Sequence, residues 1–271
     1  RVKEGIWGEH RFSIGLWVGR SATPNTFSND WVGSLGAKQI LEKLNQRELG
    51  ENPVKGKGTP LQLLACPWCG CDVTSNRHQQ DYVADEVREM VHTYCSSDDC
   101  FFGRVNGDGI PIHTVDQQVY RQVPSLVIST VDKFAQMPFN GRVQSLFGKV
   151  RNYCPRHGFL SEGEGSAHSS ASHNATGAAP KAKVVETLPL EPPDLIIQDE
   201  LHLISGPLGT MVGAYETAVD YLSSVTIDGR LIGPKVIAST ATIRRADRQV
   251  GALFNKRVEV FPPLGIQASD S

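Results

Sequence analysis

Three short apolar runs, each ending in hydroxyl-bearing or acidic residues, constrain this chain more than any other feature. They are Leu126-Val127-Ile128-Ser129-Thr130, Leu195-Ile196-Ile197-Gln198 before Asp199-Glu200, and Lys235-Val236-Ile237-Ala238-Ser239. Runs this short and uninterrupted read as strands covered on both faces, the environment of a parallel sheet between helices. The sequence between them supplies the helices. Beyond Ser205-Gly206-Pro207, residues Leu208, Met211, Val212, Tyr215, Val219 and Leu222 recur at mostly three- and four-residue intervals, a single apolar stripe. A short helix starts near Asp132, and Ser34 caps one carrying Ile40, Leu41 and Leu44. Phe12 to Gly19 alternates as a further strand. Strand-helix alternation predicts an α/β fold, a parallel sheet with helices on both faces, which binds ligands beyond the carboxyl ends of its strands.

Composition narrows the function. The 271 residues are 39% hydrophobic and 21% charged, too apolar for a disordered chain. A net charge of −2 excludes a polycation, so any nucleic-acid contact requires a local face. No apolar stretch approaches the ~20 residues that span a bilayer. The start, Arg1-Val2-Lys3-Glu4-Gly5, has neither an initiator Met nor a signal h-region, and is read as the interior of a longer, cytoplasmic protein.

The six cysteines are few for a disulfide scaffold, and four of them fall in close pairs. Cys66-Pro67-Trp68-Cys69-Gly70 is a knuckle-type CxxC turn, and Cys95 and Cys100 follow as a CxxxxC pair. Four thiolates make a closed tetrahedral Zn2+ site, whose role is structural. Cys71 lies too close to Cys69 to be needed. Cys154-Pro155-Arg156-His157 offers a CxxH pair, and spacing leaves open whether it replaces an assumed ligand or builds a further site. From Ser161 to Pro180, 13 of 20 residues are Ser, Gly or Ala and none is Leu, Ile, Val or Phe. Such a segment reads as a mobile surface insertion, with His168 and His173 solvated.

An apolar strand delivering Asp199-Glu200-Leu201-His202 to its carboxyl end suits a nucleotide hydrolase: one carboxylate holds Mg2+ and the next orients water. Ser239-Thr240-Ala241-Thr242 stands at a second strand end. The DExH sequence paired with a downstream S/T-A-T sequence resembles motifs II and III of superfamily 2 helicases. Leu126 to Phe134 is similar to the strand and turn with which these helicases grip a nucleic-acid backbone. The run from Pro193 to Gly209, with Pro124 to Phe134 and Cys66 to Cys69, resembles the helicase subunit of DISARM-type bacterial anti-phage systems. The resemblance implies a partial RecA-like sheet with an inserted zinc knuckle, a DNA-dependent ATPase, and partner subunits in a defence complex. It implies that Asp199 binds the Mg2+ of ATP, that Glu200 activates water, and that His202, Thr240 and Thr242 couple hydrolysis to movement. Thr130 and Lys133 become the implied DNA contacts.

Departures from the pattern matter. Gly50 to Thr59 has one residue too many between its glycines and Gly58 after Lys57, so it is not a P-loop. Arg244 and Arg245 are poorly placed to serve as the arginine finger of a second RecA-like lobe. The chain is therefore expected to lack both P-loop and second lobe. The expected division is 1–60 the start of the lobe, 61–115 the zinc-knuckle insertion, 116–160 the lobe continued, 161–185 the flexible insertion, and 186–271 the lobe with both motifs. The competing reading is a zinc-stabilised nucleic-acid or protein binding module without catalysis. A zinc hydrolase is disfavoured because no HExxH occurs.

Overall fold

The alternating stretch after Phe12 forms β1 (Ile14–Trp17), and its last residue, Trp17, is buried. A computed structural model describes residues 11–29, 33–46, 58–73, 81–107, 109–161, 171–177, 179–200 and 207–239, with 259 and 261. The chain divides into two compact units, Arg1–Leu190 and Glu191–Ser271. In the first, α1 (Ala37–Gln46) turns Ala37, Ile40, Leu41 and Leu44 inward, the spacing of a one-sided helix. β2 (Tyr82–Asp85) and β3 (Met90–Thr93) make an antiparallel hairpin. β4 (Ile112–His113), α2 (Asp116–Gln122), β5 (Leu126–Ser129) and α3 (Val131–Phe134) follow. Two 3-10 segments, Met137–Phe139 and Gly141–Phe147, lead to the hairpin of β6 (Val150–Cys154) and β7 (Gly158–Ser161). β8 (Ser172–His173), β9 (Ala182–Lys183) and β10 (Val185–Glu186) complete the unit.

β1 is the centre of a parallel sheet in the order β4-β1-β5, with Ile14 opposite Ile112 and Leu126. Gly15 lets the turn after α2 lie on this strand, since a Cβ there would come within 2.6 Å of Pro124 Cγ. Polar side chains then fix α2 in place. Gln117 accepts from the Phe27 amide at 3.0 Å, and Gln118 accepts from the Val91 amide and donates to its carbonyl, both at 3.1 Å. The cysteine-bearing segment shares its core with the amino end: Cys66, Cys95 and Cys100 pack in one buried cluster with Phe27, Ala37, Leu41 and Val115.

The second unit holds β11 (Leu195–Gln198), α4 (Pro207–Leu222), the hairpin of β12 (Val225–Ile227) and β13 (Arg230–Ile232), and β14 (Lys235–Ala238). β11 and β14 are parallel and in register from Leu195 opposite Lys235 to Gln198 opposite Ala238. A parallel pair joined through a helix is the βαβ arrangement that the sequence predicts. Among the described residues each unit holds a small parallel sheet, β4-β1-β5 in the first and β11-β14 in the second, and the remaining strand pairs are antiparallel, so the fold is mixed α/β. The structure corrects one expectation. The runs read as buried on both faces are not: Ile128 is 51%, Ile197 67% and Ile237 47% exposed. Successive strand residues face opposite ways, and along β5 and β11 exposed residues alternate with half-buried ones, so each of these strands is covered on one face more than on the other.

Candidate functional site

The parallel pairing of β11 and β14 ends with two polar residues side by side. Gln198 is opposite Ala238, and the Ser239 amide donates to the Gln198 carbonyl at 2.9 Å, carrying the ladder one residue further. Asp199 thereby lies level with Ser239, whose hydroxyl donates to Asp199 Oδ1. The Glu200 amide donates to the same oxygen at 2.9 Å. The Ser239 hydroxyl first, and the Glu200 amide second, hold the Asp199 carboxyl below its ordinary range, so it is anionic at neutral pH. Both bonds fall on Oδ1 and neither uses Oδ2. Glu200 reaches its position with φ +53°, a left-handed backbone that a side chain adopts at a cost of order 1 kcal/mol or more. Asp199 and Glu200 are both exposed, a hard oxygen donor set of the kind that takes a magnesium ion. The sequence motif Ser239-Thr240-Ala241-Thr242 contains Ser239 but assigns it no role. Its place at the end of an apolar run, level with Asp199, was the available signal.

Of the other site residues expected from the sequence, His202, Thr240 and Thr242 lie outside the described residues. Thr130 is exposed at the end of β5, where it precedes α3. Lys133 is 2% exposed, its ammonium pairs with the Asp116 carboxylate and it donates to Asn25 Oδ1 at 3.4 Å. The physical reason is cost: a buried carboxylate needs a buried cation, and Lys133 is the third residue of the short helix after β5. Burial pushes the Asp116 carboxyl up to about 6, against the pull of Lys133. Beside this pair opens a polar cavity of about 510 Å3 that Asn25, Ser28, Gln136, Asn140 and Arg142 help to line. These residues follow the carboxyl ends of β1 and β5, the rim at which open α/β sheets bind ligands.

The four cysteines converge as their spacing predicts. The Sγ atoms of Cys66, Cys69, Cys95 and Cys100 lie within 4.8 Å of one another, with Cys66 to Cys100 at 3.8 Å and Cys69 to Cys95 at 3.4 Å. Tetrahedral zinc with Zn–S of ~2.3 Å requires sulfur separations of ~3.8 Å, so the donor set fits the ion. The Cys71 backbone first, and the Cys95 thiol next, hold the Cys69 thiol down to about 6, whereas burial pushes the Cys95 and Cys100 thiols up. Cys71 itself is exposed and outside the set. Over the cluster, exposed Trp68 packs against Phe101 and Phe102, with ring centroids 5.9 and 6.1 Å away.

Fold and sites together define a mixed α/β protein with an acidic edge on a parallel strand pair and a four-thiol cluster that could bind zinc. No family model matches the chain. It is 36% identical, over 276 aligned positions spanning its whole length, to a protein of Bacillus paralicheniformis named DISARM protein DrmA, and covers 22% of that protein. No helix among the described residues is long and apolar enough to cross a membrane.

Proposed function

We propose that this chain is part of an ATP-dependent DNA helicase or translocase motor that serves bacterial anti-phage defence, working in the cytoplasm with other subunits of a defence complex. One observation carries the reading: adjacent parallel strands set an ionised carboxylate, Asp199, beside the Ser239 hydroxyl, with Glu200 next in the chain. The likeness to DISARM protein DrmA over the whole chain supports the defence setting.

Asp199 would hold the magnesium ion of MgATP, which supplies a phosphorus centre whose negative charge is partly neutralised. An exposed aspartate is already ionised at neutral pH, and the Ser239 hydroxyl and Glu200 amide hold its carboxyl lower still, so Asp199 needs no proton loss before it binds a cation. Glu200 orients the attacking water and takes its proton. His202, Thr240 and Thr242 pass the change at the nucleotide to the DNA-contacting side. DNA contacts fall to Thr130 and, in place of Lys133, to the polar rim around Asn140 and Arg142, where a guanidinium and amides suit phosphate oxygens.

The test is DNA-stimulated ATP hydrolysis by the full-length protein. Glu200→Gln is expected to lower kcat by about 10²–10⁴-fold, the contribution of a positioned general base, while DNA affinity persists. Turnover unchanged by E200Q removes the role given to Glu200. A second reading, a non-catalytic zinc-stabilised binding module, is favoured by one observation: Trp68 is 69% and Phe101 55% exposed beside the thiol cluster, with the Arg11 guanidinium 5.5 Å from the Phe101 ring. DNA binding that is lost on chelation and indifferent to nucleotide selects that reading.

A further inference from the structure

Two five-residue stretches share one frame. Cys66-Pro67-Trp68-Cys69-Gly70 and Cys154-Pro155-Arg156-His157-Gly158 hold cysteine, proline and glycine at the same offsets, with a second metal-ligating residue three positions after the first. Both glycines are left-handed, φ +77° at Gly70 and +98° at Gly158. At Gly158 a Cβ would also lie 2.3 Å from the Arg121 carbonyl oxygen, so the second turn admits no side chain there. It joins β6 to β7, and the His157 amide closes it by donating to the Cys154 carbonyl at 3.2 Å. Cys154 is fully buried and His157 is 9% exposed.

A third ligating residue arrives from the segment with no large aliphatic side chains. β6 pairs with β10, β10 follows β9 after a single residue, and β9 pairs with β8, where His173 is opposite Ala182. Arg156, between the two turn ligands, donates to the carbonyls of Asn174 at 2.8 Å and Pro180 at 3.0 Å, fastening that strand pair to the turn. As a result, Cys154 Sγ is 3.5 Å from His157 Nδ1, and the His157 and His173 rings meet edge to face with centroids 4.8 Å apart. One donor atom from each of the three lies within 4.8 Å of the others. His173, expected from composition to be solvated, is therefore part of a cluster.

We propose that Cys154, His157 and His173 form a second zinc site, separate from the four thiols. One thiolate and two neutral imidazoles are a zinc donor set; with Zn–S of ~2.3 Å and Zn–N of ~2.0–2.1 Å, tetrahedral geometry puts sulfur and nitrogen ~3.5 Å apart. The absence of an oxygen donor from the set disfavours Mg2+ and Ca2+. The three side chains leave a fourth position for water or an added ligand. The ion supplies what the composition of this segment does not: a tie between the β8–β9 pair and the β6–β7 turn without apolar burial. Cys154 and His157 thus neither join nor replace the first cluster.

The experiment is elemental analysis of the full-length protein and its variants purified alike. Cys154→Ser and His173→Gln are each expected to lower the zinc content by one ion per chain, Cys69→Ser by a different one, and C69S with H173Q by two. Because C154S also disturbs a fully buried position, the decision rests on H173Q, at a partly exposed strand, read together with cobalt substitution. The difference spectrum between cobalt-loaded wild type and H173Q should be that of a tetrahedral site with a single thiolate. Zinc content and cobalt spectrum both unchanged by H173Q overturn the site.

Discussion

Lys133 and Asp199 are each a charged residue just past a short apolar strand, and the structure gives them opposite fates. In the first unit Lys133 turns inward and is 2% exposed against Asp116. In the second, Asp199 stays at the surface, and the Ser239 hydroxyl bonded to it holds its carboxyl below the ordinary range. The difference teaches what a charge at a strand end is for. A buried charge is held by a partner of opposite sign that ties two helices together, whereas an exposed carboxylate keeps an oxygen turned to solvent.

The contrast predicts that substitutions in the first unit act on stability and those at the Asp199 edge on turnover. The largest stability effect belongs to the thiol cluster: Cys95→Ser, or exhaustive chelation, should open residues 66–103 to limited proteolysis, since structural zinc sites contribute of order 10 kcal/mol of apparent binding energy. Lys133→Met comes next. It strands a buried carboxylate and should cost about 3 kcal/mol in chemical unfolding, largely recovered in D116N/K133M, with DNA affinity unmoved. A loss of DNA affinity without a loss of stability in K133M would erase the comparison.

A smaller effect is pH-dependent. Burial first, and the neighbouring His92 second, hold the His113 imidazole down to about 4, and Gln118 Nε2 is 2.9 Å from its Nδ1. The unfolded chain takes up that proton near pH 6.5 and the folded chain does not, so this contribution is present above 6.5 and is lost as pH falls toward 4. His113→Gln, which retains an acceptor for Gln118, should therefore gain on wild type by about 3 kcal/mol between pH 7 and 4 in urea titrations. Equal pH slopes in the two proteins count against a buried neutral His113. The smallest effect tests the edge. Glu200→Gly relieves the left-handed backbone and should raise the unfolding midpoint by the equivalent of about 1 kcal/mol while turnover collapses, the reverse of the pattern at Lys133.

How far the sequence could be read depends on how local each feature is. The four-thiol site was legible because two close cysteine pairs each set their own geometry, and only one long-range meeting remained. The β11–α4–β14 unit was legible because apolar runs around a helical stripe have few alternatives. Asp116, Gln117 and Gln118 look like an ordinary solvated helix start, yet all three are buried, bonded to Lys133, the Phe27 amide and the Val91 backbone. No periodicity announces that, because the partners lie 17, 90 and 27 residues away. His173 differs from its composition for a related reason: composition shows that a segment cannot bury apolar surface, but not that Arg156 and strand pairing carry one imidazole to a cysteine.

The sequence by itself determined the short strands, the paired knuckle frames and the acidic residues at a strand end, because backbone sterics, chain spacing and side-chain chemistry act over a few residues. Only the tertiary structure decided which charges are buried, which histidine meets Cys154, and that Ser239 lies beside Asp199. Those outcomes depend on partners brought together by register and packing, and the cost of burying a charge is settled only once its neighbours are in place.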